Sequence, residues 1–329
     1  MDNSALHFLV KQAQDAEAAH NFLLAGRLYT QALEVAKKNN DSSAISVCKR
    51  KLVEVNKLSE NEFKTLSTEY KLSDAQVAHV KSLVASAIAD DINKTLCTIG
   101  AGRLFVPNYS EVETRARRTV PLFRQVASVT TITNAGHVVP GSSDGVMSWI
   151  KENYGIQQKV IIDLYLHPIL SELTVAKKLS ADTLMAYFKT RGVFPEQHLR
   201  VLQVGIARHF AGDYVSALHI LVPRFESVFV DILGRAGVDV IALNRGDEVA
   251  TQPRTLSERM FNDPACQKLL GDDFCKQLEF ILVDPLGYKI RHRVAHGELA
   301  VEESSMQLSH LVIYLFLSIA ARVQPVVNK

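Results

Sequence analysis

Apolar residues recur at three- and four-residue steps through residues 1–99, which is the spacing of amphipathic helices. The segment Ala25–Leu33 resembles half of a tetratricopeptide-type helical hairpin, in which Gly26 allows a close helix approach and Tyr29 packs between helices. No second copy follows at the period of about 34 residues that a repeat array needs. The pattern therefore predicts a scaffold of helical hairpins over 1–99.

The pattern changes in a middle region, residues 100–195. Residues 126–139 are rich in Thr and Val, which favours a short β excursion near 126–140 or an irregular loop packed on helices. Helical spacing returns over 146–190 and ends at a segment punctuated by Gly and Pro. We expect a mixed, mainly helical region here.

Residues 196–329 have the pattern of a helical bundle with one polar insert. Helices are predicted at 196–211, 214–233, 256–270, 273–283 and 303–323, with a loop-rich insert up to 252 and a short segment near 288–296. The chain as a whole is therefore predicted to be mostly α, with boundaries near residues 99 and 195.

Composition and charge narrow the function classes. Of the 329 residues, 47% are hydrophobic and 22% are charged, which excludes wholesale disorder and a fibrous fold. Lys and Arg number 37 against 35 Asp and Glu, so the net charge of +2 excludes a strongly basic nucleic-acid coat but leaves room for a local basic site. In the basic run Arg115–Arg118, a solvated helix face is favoured over an RNA contact.

Targeting signals are not evident in the sequence. Met1–Ser4 lacks the basic and apolar regions of a secretory signal, and the longest uncharged apolar stretch, Leu311–Ala321, is far shorter than the ~20 residues of a membrane span. The four cysteines form no Cys-x-x-Cys pair, so neither a disulfide framework nor a zinc knuckle is expected. These features predict a cytoplasmic protein without membrane attachment.

Two positions in the last region break the local pattern. Glu226 lies on a mainly apolar helix face, away from the polar face of Arg224, Ser227 and Asp231, and a carboxylate there needs a partner. The second position is an Arg-x4-His spacing, from Arg291 to His296. The spacing alone is weak, but the Gly directly after the His and the place before the last long apolar helix make it more specific.

The pattern of an Arg, a polar residue, three further residues and a His, just before a final bundle helix, resembles the HEPN superfamily. More narrowly, Arg291-His292-x3-His296-Gly297 is similar to an uncharacterised-domain family with the signature Arg-Asn-x3-His-Gly, which includes the endoplasmic-reticulum membrane-associated RNA degradation protein. The run Gly212–Glu226 resembles the first helix of that family, so the likeness covers about residues 200–325. His292 stands where the family usually has Asn.

The resemblance implies a metal-independent endoribonuclease that leaves a 2′,3′-cyclic phosphate, with RNA as partner and a role in bacterial defence or stress. The residue types suit this chemistry. His296 would take the 2′-hydroxyl proton or protonate the leaving 5′-oxygen, because imidazole titrates near neutrality. Arg291 would stabilise the charged pentacoordinate phosphorus. His292 would orient the phosphate or share the proton transfer.

Helix geometry restricts how these groups can meet. On one ideal helix Arg291 and His296 point about 140° apart, so the helix must break between them or two chains must contribute. Gly297 permits a turn or a helix end. The resemblance implies a homodimer with the motif at its interface, and Glu226 is expected to pair with Arg291 or Arg293.

Other interpretations stay open. Arg291 and Glu226 could form a purely structural ion pair, with His296 as a core or capping residue. His292, His296 and Glu298 could ligate zinc, but the donor set is poor, and neither a metal nor a cofactor is expected. The alternative functions are a non-catalytic RNA-binding or dimerisation module, and a helical adaptor that binds a protein partner through residues 1–99.

Overall fold

Helices dominate the computed structural model of the protein, as the sequence predicts, so the mostly α fold class is confirmed. The structure describes residues 4–62, 73–126, 130, 132, 136–139, 144–243 and 250–325. The chain divides into two compact units. Unit 1 comprises Met1–Lys71 and Val126–Gly145, and unit 2 comprises Leu72–Gln125 and Val146–Lys329.

Unit 1 is built on three consecutive helices, α1 Ser4–Ala18, α2 Phe22–Lys38 and α3 Ser42–Leu58, and α2 packs against both of the others. Tyr29 of α2 is fully buried, as predicted. A Cβ at Gly26 would lie 2.8 Å from the Asn56 side-chain oxygen on α3, so glycine allows the close approach. The tetratricopeptide likeness itself stays a prediction.

The predicted β excursion near 126–140 falls partly outside the described residues, which omit 127–129, 131, 133–135 and 140 of that stretch. Within the described part, Ile132 and Val138 form an isolated antiparallel bridge. A helix, α7 Leu122–Val126, covers the start of the stretch.

Unit 2 is organised around its last helix, α17 Met306–Arg322, whose residues from Ser309 to Ala320 are buried. Helices α5 Ile92–Ala101 and α12 Tyr214–Arg235 contact it extensively. The other main helices of unit 2 are α4 Asp74–Ala89, α6 Tyr109–Thr119, α8 Gly145–Ile161, α9 His167–Val175, α10 Ala181–Arg191, α11 Glu196–Phe210, α14 Pro264–Leu270 and α15 Asp272–Leu282. In the part of the chain that the structure describes, no helix combines the length and apolarity needed to cross a membrane.

Two details of the last region differ from the sequence prediction. The loop-rich insert contains a two-stranded antiparallel sheet, β1 Ile241–Leu243 and β2 Thr251–Pro253. The helix predicted over 256–270 is two helices, α13 Glu258–Phe261 and α14. Asp263 caps α14 by accepting the Ala265 amide at 2.8 Å, and the following proline starts the new helix because its missing N–H costs nothing there.

The predicted region boundaries near residues 99 and 195 both lie within unit 2. At the first of them, α5 packs on α17, and at the second, α10 packs on α11. The helices on both sides of each boundary therefore belong to one compact unit.

Candidate active site

A fixed turn leads from α15 into the candidate motif. The Asp284 carboxylate accepts the Leu286 amide at 2.9 Å, and the Tyr288 amide donates to the Phe280 carbonyl at 3.0 Å. A Cβ at Gly287 would lie 2.1 Å from that same carbonyl oxygen, so only glycine fits. The turn sets the start of α16 Ile290–Ala295, the short helix that carries the motif.

A buried ion pair stabilises this turn. Lys151 of α8 bonds the Asp284 carboxylate, and its Nζ lies 3.7 Å from Glu279 Oε1. Burial lowers the pKa of Lys151, but the two carboxylates outweigh burial and leave the pKa above its ordinary value. The lysine therefore stays charged and ties α8 to the turn before the motif.

Helix α16 is anchored by its buried residues Ile290 and Val294 and has an unusual backbone at each end. Lys289, just before it, has a left-handed φ of 51°, and Gly297, just after His296, has a φ of 66°. The helix ends at Ala295, so His296 lies outside the regular helix. The His296 amide still donates to the His292 carbonyl at 3.0 Å, so the backbone keeps a helical course up to His296 and the expected break between Arg291 and His296 is not found there.

Glu226 and Arg291 form a two-bond ion pair. Arg291 Nε donates to Glu226 Oε2 at 2.8 Å, and Nη2 donates to Oε1 at 3.0 Å. Glu226 Oε1 also accepts the Leu256 amide at 3.1 Å. The side chains keep 23% and 21% of their exposure, so the pair is largely withdrawn from water. This fork fixes the plane of the guanidinium and leaves its Nη1 edge to other groups.

Arg293 has a different partner from the one considered in the sequence. It bonds Glu303, whose carboxylate also accepts the Ala300 amide at 3.2 Å. Arg293 therefore holds the connection between α16 and α17 and does not contact Glu226, which is a correction to that part of the expectation. The charge of Glu226 is left to Arg291.

The two histidine rings of the motif are in contact, with their planes tilted by 47°. The ring centroids of His292 and His296 lie 4.1 Å apart, and His292 Nε2 is 3.6 Å from Glu298 Oε1. Burial, followed by the positive charge of Lys289 and the neighbouring His296, lowers the pKa of His292. The His296 side chain is exposed. Within the described ranges, no three His, Cys, Asp or Glu side chains are grouped so that they could hold a metal ion.

Arg291 and His292 line one open cleft of about 670 Å³. Its other wall comes from β2, α13 and the residues between them, including Arg254 and Arg259, and Lys289 lines it beside the motif. His296 is not in the lining but lies next to the cleft through its contact with His292.

The cleft also contains residues that the sequence analysis did not single out. Lys289 directly precedes the motif and could have been suspected from its position. Arg254 and Arg259 are more than 30 residues away in sequence, and only the fold brings them to the same cleft. The basic run at 115–118 lies elsewhere, on α6, where Arg117 pairs with Glu113 at 2.7 Å and Arg115 bonds Gln157 at 3.0 Å.

Comparison of the chain with protein-family models, with curated proteins and with solved structures gives no match. The resemblance to HEPN nucleases over residues 200–325 therefore depends on the motif and its setting alone.

Proposed function

We propose that the protein is a metal-independent endoribonuclease with Arg291, His292 and His296 at its centre. One observation supports this most directly. A guanidinium and an imidazole line the same open cleft, and a second imidazole packs on the first at 4.1 Å. A phosphodiester in this cleft would meet a fixed cation and one proton carrier, with the second proton carrier in contact with the first.

The reaction needs no group beyond these side chains and the RNA. His292 takes the proton of a ribose 2′-hydroxyl, whose oxygen then attacks the adjacent phosphorus. The bond from phosphorus to the 5′-oxygen breaks, and His296, as imidazolium, donates a proton to the leaving oxygen. The products are a 2′,3′-cyclic phosphate and a 5′-hydroxyl, and proton exchange with water restores both histidines.

The base is assigned to His292 because it lines the cleft beside Arg291, and burial, with the positive charge of Lys289, lowers its pKa and so favours the neutral ring. Arg291 stabilises the extra negative charge of the pentacoordinate phosphorus through the donors that Glu226 leaves free. Glu226 acts through Arg291 by holding its plane, and is therefore a positioning residue.

The decisive experiment is cleavage of end-labelled RNA by the full-length protein in EDTA near pH 7. Removing a proton carrier should slow cleavage by about 10²–10⁴-fold, so His296→Ala and His292→Ala should both be nearly inactive. His219→Ala, at an exposed histidine that does not line this cleft, is the matched control and should keep the parent rate. The upstream fragments should end in a 2′,3′-cyclic phosphate, so an enzyme can extend their 3′ ends only after that phosphate has been removed.

The alternatives give different results in the same assay. A non-catalytic RNA-binding module would bind RNA in the parent and in His296→Ala and never cut it. A helical adaptor would bind no RNA. If the Arg291–Glu226 pair is purely structural, Arg291→Ala should lower the stability of the protein and change nothing else. Equal cleavage by the parent and His296→Ala would reject the endoribonuclease proposal.

The quaternary state and any protein partner belong to the same proposal. A homodimer through residues 196–329 would put two copies of the motif close together, and light scattering of the purified protein would show it as twice 36.5 kDa. Residues 1–99 would then be available as a scaffold for a protein partner. A monomer at micromolar concentration would reject the dimer without affecting the chemistry of one chain.

A further inference from the structure

We propose that Arg259 and Lys289 are binding sites for the RNA phosphates that flank the cleaved bond. This inference deepens the proposed function, since it names how the same cleft would hold its substrate on either side of the reacting phosphate. Neither residue belongs to the motif, and Arg259 lies on α13, in a different part of the sequence.

The first observation is the balance of charge around the motif. Three of the arginines here have carboxylate partners: Arg254 bonds Asp239, Arg291 bonds Glu226 and Arg293 bonds Glu303. Arg259 and Lys289 line the cleft with Arg254 and Arg291, but the described residues provide no carboxylate within ion-pair distance of either. Among the described residues that line the cleft, Glu258 is the one that carries a carboxylate. The cleft therefore keeps an excess of positive charge that its own side chains do not neutralise.

The positions of the two cations favour an extended anion over a single small one. Arg259 stands on the wall formed by α13, and Lys289 stands on the motif side beside Arg291 and His292. A chain of phosphates crossing the cleft at the motif would meet one cation on each side. Phosphate contacts of this kind position a nucleic acid without reading its sequence.

The backbone of Lys289 determines which replacement tests its side chain. Its φ of 51° is a conformation that residues other than Gly, Asn and Asp rarely adopt. Asparagine would suit this backbone better than lysine does. This backbone places Lys289 at the start of α16, next to Arg291 and His292 in the lining of the cleft.

The test measures binding apart from cleavage. The probe is a fluorescein-labelled 2′-O-methyl oligouridine of about 12 nucleotides, which lacks the hydroxyl that attacks and so cannot be cut. Its Kd for the full-length protein is measured by anisotropy at several salt concentrations between about 50 and 200 mM, where phosphate contacts show their salt dependence.

Arg259→Gln and Lys289→Asn should each raise Kd roughly three- to tenfold at the lower salt concentration. Each should also reduce the slope of log K against log salt by about 0.7, the amount expected for one phosphate contact on a single strand. Asparagine tolerates the left-handed backbone at 289, so this variant should fold. Arg208→Gln, which removes the same charge from an exposed position on α11, should leave both Kd and slope unchanged.

Three results would overturn the inference: no binding by the parent at low salt, unchanged Kd and slope in both cleft variants, or an equal loss in Arg208→Gln. Failure of the proposed function gives a different result. If the parent fails to cut unmodified RNA but the two cleft variants weaken binding as described, the phosphate sites stand and the nuclease chemistry does not.

Discussion

At the scale of single residues, the candidate site depends on the ion pair between Glu226 and Arg291. Glu226 on an apolar helix face required a cation, and Arg291 provides it with two hydrogen bonds. The partner of Arg293 is not predicted, because the sequence pattern places Glu303 at the start of a helix over 303–323, whereas α17 begins at Met306 and Glu303 lies in the turn before it. Arg259 and Lys289 were also missed, since a cleft lined from two distant segments leaves no mark in either of them.

The Glu226–Arg291 pair should contribute measurably to stability. Glu226→Gln leaves a largely buried guanidinium with a neutral acceptor, and we expect the free energy of unfolding in urea to fall by about 1–3 kcal/mol. Glu303→Gln removes a comparable pair with a more exposed carboxylate and should cost less than about 1 kcal/mol. Equal losses in the two variants would mean that burial does not increase the contribution of the Glu226–Arg291 pair to stability.

At the scale of helices, the sequence pattern predicts that the long helices exist, but it does not predict the short strands or the division of one helix into two. The helices predicted at 196–211 and 214–233 occur at Glu196–Phe210 and Tyr214–Arg235, because their apolar spacing is long and regular. Strands β1 and β2 have three residues each, too few for a visible alternation. The division of the helix over 256–270 depends on a cap and a proline, whose signal was present in Asp263-Pro264 but was outweighed by the apolar spacing.

The packing of α5 on α17 depends on one glycine. A Cβ at Gly100 would lie 2.4 Å from the Leu317 carbonyl oxygen, so Gly100→Ala must push the two helices apart. We expect a loss of about 1–3 kcal/mol in the free energy of unfolding. Gly155→Ala is the matched control on α8, since its nearest neighbour is the end of the Phe280 side chain at 3.1 Å, which can move. A larger effect at Gly155 than at Gly100 would contradict the packing described for α17.

A cluster of buried histidines makes the packing of α9, α11 and α17 sensitive to acid. His167 Nδ1 lies 3.0 Å from His310 Nδ1, and His209 bonds Ser309 at 2.7 Å. Burial lowers the pKa of His209 to about 4, and burial together with the other two histidines lowers that of His310 to about 2. The unfolded chain, with a histidine pKa near 6.5, therefore binds protons first as the pH falls.

The stability that this cluster provides should be complete above about pH 6.5 and decrease below it. Between pH 7 and pH 5 we expect the free energy of unfolding to fall by roughly 2 kcal/mol for each of the two deeply buried histidines. His310→Gln, which cannot titrate, should have a shallower dependence over this range, while His219→Gln at an exposed position should follow the parent. Identical pH profiles for all three proteins would remove the cluster as the cause.

At the scale of the whole molecule, the sequence predicted a mostly α chain but not how its regions combine. The boundaries near residues 99 and 195 were placed where composition changes, yet α5 and α10 pack within the same unit as α17. Composition reports local preference, whereas compact units are set by contacts between distant segments. The choice between one chain and two at the motif has the same origin, because helical spacing alone does not predict that His292 lines the cleft and His296 lies beside it.

One chain places Arg291 and His292 in the cleft and His296 against His292, so a centre within one chain can be tested against a shared one by mixing variants. Arg291→Lys keeps a charge for Glu226 but loses the fork, so it should fold and be slow, and His296→Ala should be inactive. If each chain carries a complete centre, mixing these two variants gives the mean of their separate rates.

If a centre were shared across a homodimer, about half of the dimers in an equal mixture would pair the two variants, each of these would contain one intact centre of its two, and about a quarter of the parent rate would return. Measuring cleavage after the two variants are unfolded together and refolded, with parent protein carried through the same steps as the control, decides between these arrangements. Because Arg291 and His292 line one cleft and His296 contacts His292 within the same chain, no recovery is the expected result.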